Sequence, residues 1–493
     1  MRVSNCRTDG ILLGCVVLLA AALRVAYLGR ESLWYDEAFS YLAASLTPAQ
    51  IWGNAIQSSH PPLYYFLLHI WLRIVPDQDG VLRLLGTIWN LALIPATYGL
   101  SVALLGKRSS AIASAFLVAI SPFHILYSQE LRMYTQVMLF TVLGVLGYWQ
   151  GRRTGLWRWW WLFGGAFLLA MYTHYFAIWP LAAIGLHAFL RVRERQAWWR
   201  TLVVAGVVGV MFLPWVMVVF RGVNPELGAL RPLAQVPSVD PTKPLTTLAF
   251  LIFGISNHVW YTGLAIFCVL AIVAILLLEG RRIYAEGLPD GLLLVILIIG
   301  IALGGPFLIY FSRPYFLTER TMAVASPFIM IFLGWGLGRR HSPLPYLIAV
   351  VILGMLAGTI MHLYQPGLKP PYREVMNWVE QYRQPGDAVL HTSDGSYWPA
   401  LRYVDWSEHV VLAGDPDPRR SVAMHRLAGG DVWSLDQVVA HGDRLWVIVA
   451  LEHSVDWQTA QDEYFAQHFR QLVSQEIGGI RIYLYDLAAE AEE

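Results

Sequence analysis

Long apolar runs recur along the first three quarters of the chain, and short polar or charged segments separate them. A helix needs about 20 mostly apolar residues to cross the hydrocarbon core of a bilayer. The apolar runs predict about eleven spans, at 11–28, 82–105, 109–127, 134–150, 159–173, 175–190, 201–220, 258–278, 291–311, 321–338 and 345–363. The first run follows two arginines, as in a secretory signal peptide. It is longer than the apolar core of such a peptide and no small-x-small cleavage site follows it, so we predict a retained helix.

The apolar and aromatic stretch 63–75 is shorter than a span and is followed by Pro76-Asp77. If this stretch lies in the membrane interface, the short loops rich in Lys and Arg all fall on the same side as the basic N-terminus, as the positive-inside rule requires. If it spans the membrane, that bias is lost from Lys107 onward. We therefore predict a surface helix at 63–75 and a cytoplasmic N-terminus in a plasma membrane protein. The segments predicted to face outward are 29–81, 128–133, 221–257, 312–320 and the residues from about 364.

The composition changes at about residue 364, where polar and charged residues return. Short runs typical of strands alternate there with runs typical of helices, which predicts a small α/β domain. The strand-like runs are Ala388–His391, Leu445–Leu451 and Ile480–Tyr485, and the helical runs are Tyr372–Tyr382 and Thr459–Ser474. We predict a membrane domain at 1–363, which includes the first outward loop 29–81, and an extracytoplasmic α/β domain at 364–493.

The composition of the chain agrees with lipid as its main solvent. Hydrophobic residues make up 56% of the sequence and charged residues 14%, whereas soluble proteins contain about 45–50% apolar and about 25% charged residues. The net charge of +1 argues against a nucleic-acid partner, which requires a basic face. Cys6, Cys15 and Cys268 lie at or in apolar segments. The predicted α/β domain therefore contains neither a disulfide framework nor a cysteine metal site.

The first outward loop carries the motif SLWYDEAFSYLAAS. Asp36-Glu37 opens one short helix, and Thr47 with Gln50 forms a capping box that predicts a second. Ser59-His60-Pro61-Pro62 ends the second helix and begins the surface helix. The two adjacent carboxylates have two interpretations. A carboxylate in a partly dry site suits a general base, whereas an acidic residue at a helix start can serve only as a cap that faces the helix dipole.

Ionisable residues also lie at the outward ends of later predicted spans, where such residues mark either function or mutual pairing. In SPFHILYSQELRMY, Glu130 and Arg132 either pair with each other or face the same cavity as Asp36. His174, in MYTHYF, is either a hydrogen-bonded residue at a helix end or a site residue.

A further outward cluster contains Arg313, Glu319 and Arg320. These arginines are either interfacial anchors or ligands of phosphate, which arginine binds through paired hydrogen bonds. An acid, a base and a cation at a bilayer surface together suit a substrate with an anionic headgroup and a lipid tail.

Three motifs, SLWYDEAFSYLAAS, SSHPPLYYFLLHIWLR and SPFHILYSQELRMY, resemble the bacterial members of glycosyltransferase family 39. That family belongs to the GT-C fold superfamily, with the protein O-mannosyltransferases and the lipid A aminoarabinose transferase. The resemblance covers most of the first 340 residues. It implies a polytopic α-helical GT-C fold and the inverting transfer of a sugar from a polyprenyl-phosphate carrier to a protein, lipid or glycan acceptor outside the cytoplasm. It also implies that Asp36, with Glu37 beside it, is the catalytic carboxylate and that Glu130 is important.

On this interpretation Asp36 accepts the proton of the acceptor hydroxyl. Arg132, with Arg320 or Arg313, offsets the charge that grows on the departing lipid phosphate. Other residues expected around the site are His60, Tyr64, Gln129, Tyr134 and His174. Some relatives bind a divalent metal and others do not, so the sequence does not decide whether a metal is bound. The candidate ligands of such a metal are Asp36, Glu130 and His60.

Two other functions remain open from the sequence. A transporter or flippase for lipid-linked sugars places ionisable residues near the bilayer midplane, often in broken or repeated helices. Here the ionisable residues gather at the outward ends of the spans. A ligase that transfers a whole glycan from a diphosphate carrier shares much of this layout, and the sequence does not distinguish it from a monosaccharide transferase.

Overall fold

The computed structural model describes residues 2–58, 60–222, 240, 243–254, 263, 287–311, 319–339, 344–364, 369–392, 394–404, 409–412, 431–440, 442–450 and 463–489. The chain divides into two compact units, each built from two stretches. The first, here called the helical unit, contains Met1–Ala26 and Arg83–Tyr364. The second, here called the α/β unit, contains Tyr27–Leu82 and Gln365–Glu493. The packing thus groups the first loop with the C-terminal residues, whereas the sequence analysis assigns that loop to the membrane domain.

Helices account for most of the first 364 residues. They are α1 (Arg2–Val25), α2 (Tyr35–Ser45), α3 (Pro48–Ser58), α4 (Leu63–Ile74), α5 (Asp79–Leu105), α6 (Arg108–Ile120), α7 (Pro122–Ser128), α8 (Tyr134–Thr154), α9 (Trp157–Thr173), α10 (Ile178–Leu190), α11 (Arg195–Gly222), α12 (Lys243–Phe253), α13 (Asp290–Tyr310), α14 (Ser326–Leu337) and α15 (Leu344–Tyr364). Two 3-10 helices, Tyr175–Ala177 and Glu319–Ala325, precede α10 and α14.

The predicted spans fall on these helices, except that 258–278 lies almost entirely outside the described residues. Six helices in the described part of the chain are long and apolar enough to cross a membrane, and α6 with α7, bent by 55°, makes a seventh candidate. The protein is therefore a multi-pass membrane protein. The helix α12 lies in the segment 221–257, for which the sequence analysis predicts only an outward loop.

The segment 63–75 forms the helix α4, and its 12 residues are too few to cross a bilayer. Its position in the membrane interface stays a prediction. Tyr65 of α4 packs edge-to-face against Phe39 of α2, with 6.3 Å between ring centroids. The predicted capping box is also confirmed. The Thr47 amide donates to Gln50 Oε1 at 3.1 Å, and the Gln50 amide donates to Thr47 Oγ1 at 3.4 Å.

Ion pairs join several of the basic loops that the charge pattern assigns to one side of the membrane. Arg152 Nε lies 2.7 Å from Glu194 Oε2. Arg191 Nε lies 2.7 Å from Asp290 Oδ1, and Arg152 also contacts that aspartate. These contacts bring the α8–α9, α10–α11 and pre-α13 connections together within the helical unit. Such a grouping is what the predicted sidedness requires, and the orientation itself remains a prediction.

The break between α6 and α7 is built around Ser121-Pro122. The last carbonyls of a helix have no partner within it, and here they are buried in an apolar unit. Arg24, which has no exposed surface, donates from Nη2 to the Val118 carbonyl at 2.9 Å and from Nη1 to the Ala119 carbonyl at 2.8 Å. Thr359 Oγ1 donates to the next carbonyl, that of Ile120, at 2.8 Å. Side chains from α1 and α15 therefore complete the hydrogen bonding of this helix end.

The C-terminal part of the α/β unit is a six-stranded sheet in the order β3-β2-β1-β4-β6-β5. Its strands are β1 (Ala388–His391), β2 (His409–Leu412), β3 (Asp431–Trp433), β4 (Arg444–Ala450), β5 (Arg470–Ile477) and β6 (Ile480–Asp486). Strands β1 to β4 are parallel, and β6 and β5 continue the sheet in antiparallel pairs. The helices α16 (Tyr372–Tyr382), α17 (Asp394–Ala400) and α18 (Leu435–Val439) accompany the strands. The predicted α/β character is confirmed.

Alternation along the strands produces a hydrophobic core on each face of the sheet. The first core contains Val389, Trp446 and Ile448, covered by the apolar stripe of α16. That stripe consists of Tyr372, Val375, Met376 and Val379, the i, i+3, i+4, i+7 spacing of an amphipathic helix. The second core contains Leu390, Val447 and Val449, covered by Phe465 and Val438.

The helix predicted at Thr459–Ser474 is wrong in its second half. Residues 463–468 are helical, but β5 begins at Arg470 and pairs along its length with β6. The side chains of β5 are mostly exposed because it is the edge strand, so its polar sequence lacks the alternation that marks a half-buried strand. The signal for this hairpin is the Gly478-Gly479 pair, since both residues have the positive φ (56° and 84°) typical of a two-residue turn.

The turn at Gly478 also supports the segment that leads into α16. A Cβ added at Gly478 would lie 2.5 Å from Pro371 Cγ. We expect Gly478→Ala to lower the free energy of unfolding of the α/β unit by about 2–4 kcal/mol, because it adds left-handed strain and a steric clash. Gly442→Ala is the matched control, since its Cβ meets nothing closer than 3.7 Å. Thermal unfolding of the purified protein, with hydrogen exchange of the β5 and β6 amides, measures the stability of both variants. Equal stability of Gly478→Ala and Gly442→Ala would contradict the packing argument.

Candidate functional site

The two adjacent acidic residues lie in the first turn of α2 and have different environments. The helix begins after Trp34, which provides no side-chain cap. Asp36 is half-buried, whereas Glu37 has no exposed surface. Glu37 Oε2 lies 2.9 Å from the ammonium of Lys369, whose side chain is 10% exposed. A buried carboxylate persists when it is paired in this way. Glu37 is thus held by an internal cation, while its neighbour Asp36 reaches the surface of the α/β unit.

The residues just before α2 are attached to the C-terminal residues of the same unit. The Arg373 amide donates to Ser32 Oγ, and Ser32 Oγ donates to Glu374 Oε2, each at 3.0 Å. The Leu33 amide donates to Tyr403 Oη at 2.6 Å. Burial raises the pKa of the Tyr403 phenol, and the nearby Asp79 carboxylate raises it further. The phenol therefore stays protonated in neutral solution.

The far end of the first loop is attached to the same part of the unit. Tyr403 Oη donates to Asp79 Oδ2 at 2.7 Å, and Arg402 Nε donates to Asp79 Oδ1 at 3.1 Å. Arg373 forms a further ion pair with Asp79. Asp77 lies 3.0 Å from Arg402 Nη2. Both ends of the loop that carries Asp36 are therefore fixed by α16 and by the turn after α17.

The second candidate segment, residues 128–134, lies in the helical unit and is fixed by three helices. Gln129 Nε2 donates to the Arg24 carbonyl at 2.9 Å and to the Ala26 carbonyl at 3.1 Å, at the end of α1. Gln129 Oε1 accepts from His362 Nε2 of α15 at 3.0 Å. A Cβ at Gly86 of α5 would lie 3.0 Å from the Glu130 carbonyl, so only glycine permits this approach. Gln129 is thus a structural residue that fixes the backbone beside Glu130.

Three predicted site residues come together in this unit. Arg132 and Glu130 are both buried. The Arg132 guanidinium lies 5.9 Å from the centre of the Tyr134 ring, at the start of α8. The Tyr134 and His174 ring centroids are 6.0 Å apart. The arrangement places a cation, a phenol and an imidazole side by side, which is suitable for binding an anionic oxygen.

The sequence left open whether His174 is a hydrogen-bonded residue at a helix end or a site residue, and its hydrogen bonding is compatible with both. It precedes the 3-10 helix Tyr175–Ala177 as its cap, and its Nδ1 accepts a hydrogen bond from the Phe176 amide at 3.3 Å. The Nδ1 atom is therefore an acceptor, so in the neutral ring the proton lies on Nε2. His174 is a helix-end residue whose Nε2–H can act as a donor.

The remaining predicted residues are distributed as follows. Arg320 is half-buried in the 3-10 helix Glu319–Ala325, which packs against α8 and against Tyr175–Ala177. Arg313 lies outside the described residues. In the α/β unit, Tyr64 is 1% exposed and packs edge-to-face on Tyr65, so it is a core residue. His60 is half-buried at the break between α3 and α4.

No group of three His, Cys, Asp or Glu side chains that could hold a metal ion occurs within the described part of the chain. Of the three candidate ligands, Asp36 and His60 lie in the α/β unit and Glu130 lies in the helical unit. We therefore derive no catalytic step through a metal.

Comparison with known proteins extends these observations. Residues 59–220 match the model of the family described as dolichyl-phosphate-mannose-protein mannosyltransferase. A search of curated protein sequences found no match. Among solved structures, ArnT from Cupriavidus metallidurans in the apo state matches with a TM-score of 0.61 and 11% identity over 99% of this chain and 100% of that one. The chain has the GT-C fold.

Two further structures share this fold. ArnT from the same organism, bound to undecaprenyl phosphate, has a TM-score of 0.60 and 12% identity over 95% of this chain and 97% of that one. The oligosaccharyltransferase AglB from Archaeoglobus fulgidus, in complex with an inhibitory peptide and a dolichol-phosphate, has a TM-score of 0.51 and 12% identity over 96% of this chain and 74% of that one. These matches confirm the GT-C resemblance that the three sequence motifs indicated.

Within this GT-C protein, sequence reasoning missed Lys369. It is one of three lysines in the chain, with Lys107 and Lys243. Lys369 lies between a predicted span and Pro370-Pro371, at the start of the predicted α/β domain. A single lysine at such a position is only weak evidence of a functional residue. The Asp79 cluster with Arg373, Arg402 and Tyr403 gave no signal, because its members are about 300 residues apart in sequence.

Proposed function

We propose that this protein is a membrane glycosyltransferase that moves a sugar from a polyprenyl-phosphate carrier to an acceptor hydroxyl on the extracytoplasmic side of the plasma membrane, with inversion at the anomeric carbon. The observation that carries the proposal is the end-to-end match to ArnT bound to undecaprenyl phosphate. The mannosyltransferase family model over residues 59–220 supports the same class of donor.

Asp36 is the general base of the proposed reaction. It accepts the proton of the acceptor hydroxyl as that oxygen forms a bond to C1 of the sugar, and the bond from C1 to the phosphate oxygen breaks. The lipid phosphate leaves with the electron pair of that bond. The partial exposure of Asp36 supports this role, because a base must come within hydrogen-bond reach of the proton it removes. Glu37 is already engaged by Lys369 and shapes the site instead.

The departing phosphate develops negative charge, which requires preorganised donors. We assign this role to Arg132, with Arg320 and Arg313 as further cations and the His174 Nε2–H as a neutral donor. The stacking of Arg132 over Tyr134 supports the assignment, since it holds the guanidinium in one orientation. We assign Glu130, which follows Gln129 in the sequence, to shaping the site. The charge pattern of the loops predicts that these residues and Asp36 all face outward, and we assign them to one reaction on that basis.

The test is reconstitution in lipid nanodiscs with a panel of undecaprenyl-phosphate hexoses and pentoses, supplied with an extract of cell-envelope acceptors. Mass spectrometry measures the undecaprenyl phosphate released and the mass added to the acceptor. We expect release from at least one donor in step with glycosylation, and a product with inverted anomeric configuration by NMR. Absence of release from every monophosphate donor would contradict the proposal.

The match to the oligosaccharyltransferase AglB favours one alternative, a ligase that transfers a whole glycan. In the alternative that the sequence left open, such a ligase uses a diphosphate carrier. An undecaprenyl-diphosphate oligosaccharide in the panel separates the two, because a ligase releases undecaprenyl diphosphate. A transporter would instead move an intact donor across proteoliposomes without releasing either carrier.

A further inference from the structure

The contact between Lys369 and Glu37 links the C-terminal part of the chain to the helix that carries the proposed base. We infer that Lys369 is a positioning residue, which holds Glu37 and so fixes the first turn of α2 with Asp36 in the orientation that catalysis needs. This inference rests on the proposed function for its effect on turnover. Its effect on α2 is a property of the fold alone.

The position of Lys369 is itself fixed. Pro370 and Pro371 follow it, and proline restricts both its own φ and the backbone of the preceding residue. The Tyr372 amide closes a turn on the Pro370 carbonyl at 2.9 Å. The ring of Pro371 fits against Gly478, where a side chain would clash. The lysine therefore projects from a rigid segment supported by the sheet.

The burial of the pair determines what Lys369 contributes. Glu37 has no exposed surface and the lysine side chain is 10% exposed, so water screens neither charge well. Loss of the ammonium removes the cation beside this buried carboxylate, which favours uptake of a proton or movement of the carboxylate toward water. Glu37 is adjacent to Asp36 on one helical turn, so any movement of Glu37 displaces the proposed base.

The other hydrogen bonds and ion pairs of the loop described above lie outside the first turn of α2. Ser32 and Leu33 are bound upstream of α2, and Asp79 is bound downstream of α4. Lys369 provides a charged contact to the first turn of α2 from the C-terminal part of the unit, and α17 of the same part also packs against α2. Positioning errors of about 1 Å can cost about 10²-fold in rate.

Lys369→Met in the full-length protein tests the inference. We expect kcat for release of undecaprenyl phosphate to fall by about 10–100-fold, with little change in the KM of the undecaprenyl-phosphate sugar. We expect the amides of Tyr35–Ser45 to exchange hydrogen faster than in the wild type. Lys369→Arg, which retains the charge, should restore most of both properties. The double variant Glu37→Gln/Lys369→Met should lose about as much kcat as the more impaired single variant, well below the product of the two single losses, since each change removes the same contact.

Arg383→Met is the matched control. It removes a cation that follows α16 and pairs with Glu380 of that helix at 3.1 Å, and it should leave kcat and α2 exchange unchanged. Unaltered exchange in α2 of Lys369→Met would overturn the inference. So would a rise in donor KM at constant kcat, because Lys369 would then contact the donor. Faster α2 exchange in a protein that releases no carrier from any donor would support the positioning and contradict the proposed function, so the two can fail separately.

Discussion

Asp36→Asn is expected to lower the rate of sugar transfer by about 10²–10⁴-fold, the range typical of a lost general base. The amide has the size of the carboxylate but cannot accept the proton of the attacking hydroxyl. The first turn of α2 should persist, because Ser40 Oγ bonds to the backbone carbonyl of residue 36 at 3.0 Å and the Glu37–Lys369 pair is untouched. Release of undecaprenyl phosphate under single-turnover conditions measures the chemical step. The KM of the lipid donor should change little, since the interaction develops in the transition state.

Asp77→Asn provides the control for that experiment. It makes the same chemical change in the same loop, at a carboxylate whose side chain is 55% exposed and pairs with Arg402. Exposed ion pairs contribute about 0–1 kcal/mol, so we expect near-normal transfer. If Asp36→Asn also transfers at a rate close to that of Asp77→Asn, Asp36 is not the base.

Local signals accounted for most of the helices of this fold, α12 being an exception. In a bilayer every backbone group must be satisfied within its own segment, so length and apolar composition suffice to locate a span. The charge pattern assigned 63–75 to the interface, and α4 is too short to cross a bilayer. The capping box at Thr47 and the amphipathic spacing of α16 are equally local, and both elements begin where the sequence indicates.

Non-local contacts were not accessible from the sequence. Glu37 and Lys369 are separated by 332 positions, and nothing in either neighbourhood identifies the other as its partner. The grouping of the first loop with the C-terminal residues follows from such contacts. The error at Arg470–Ser474 has the same origin, because β5 is a strand by virtue of its pairing with β6 rather than by its own pattern.

The candidate site was predicted in part. The adjacent carboxylates and the resemblance pointed to Asp36, but only the packing distinguishes Asp36 from the buried Glu37. Arg132, Tyr134 and His174 were each predicted singly, and the helical unit brings their side chains together. Gln129 and Tyr64 were predicted as further residues around the site, and the structure shows for them hydrogen bonds to the backbone and to His362, and a ring contact. Their place in the site stays a prediction. Polarity at a membrane surface does not separate residues that bind ligand from residues that fix the backbone.

Arg24→Met is expected to reduce the stability of the helical unit by about 3–6 kcal/mol, which would prevent folding of many proteins. The estimate counts the acceptors that lose their donor. These are the Val118 and Ala119 carbonyls at the end of α6 and the Asn90 side-chain oxygen, which accepts from Arg24 Nε at 2.8 Å. Methionine fills a similar volume but donates no hydrogen bond. A buried acceptor that loses its donor in an apolar interior bears a desolvation cost of about 1–3 kcal/mol.

The effect of Arg24→Met should appear in folding before it appears in activity. The yield of monodisperse protein and the midpoint of thermal unfolding in detergent are suitable measurements. Arg7→Met makes the same change 17 residues earlier in α1, at an exposed side chain. This variant should unfold at the same temperature as the wild type. Arg24→Lys should be intermediate, because an ammonium restores the charge but cannot reach two successive carbonyls and Asn90 with the geometry of a guanidinium. Equal midpoints for Arg24→Met and Arg7→Met would show that the end of α6 is stable without its cap, and that the bend before α7 is maintained by Thr359 and the following proline alone.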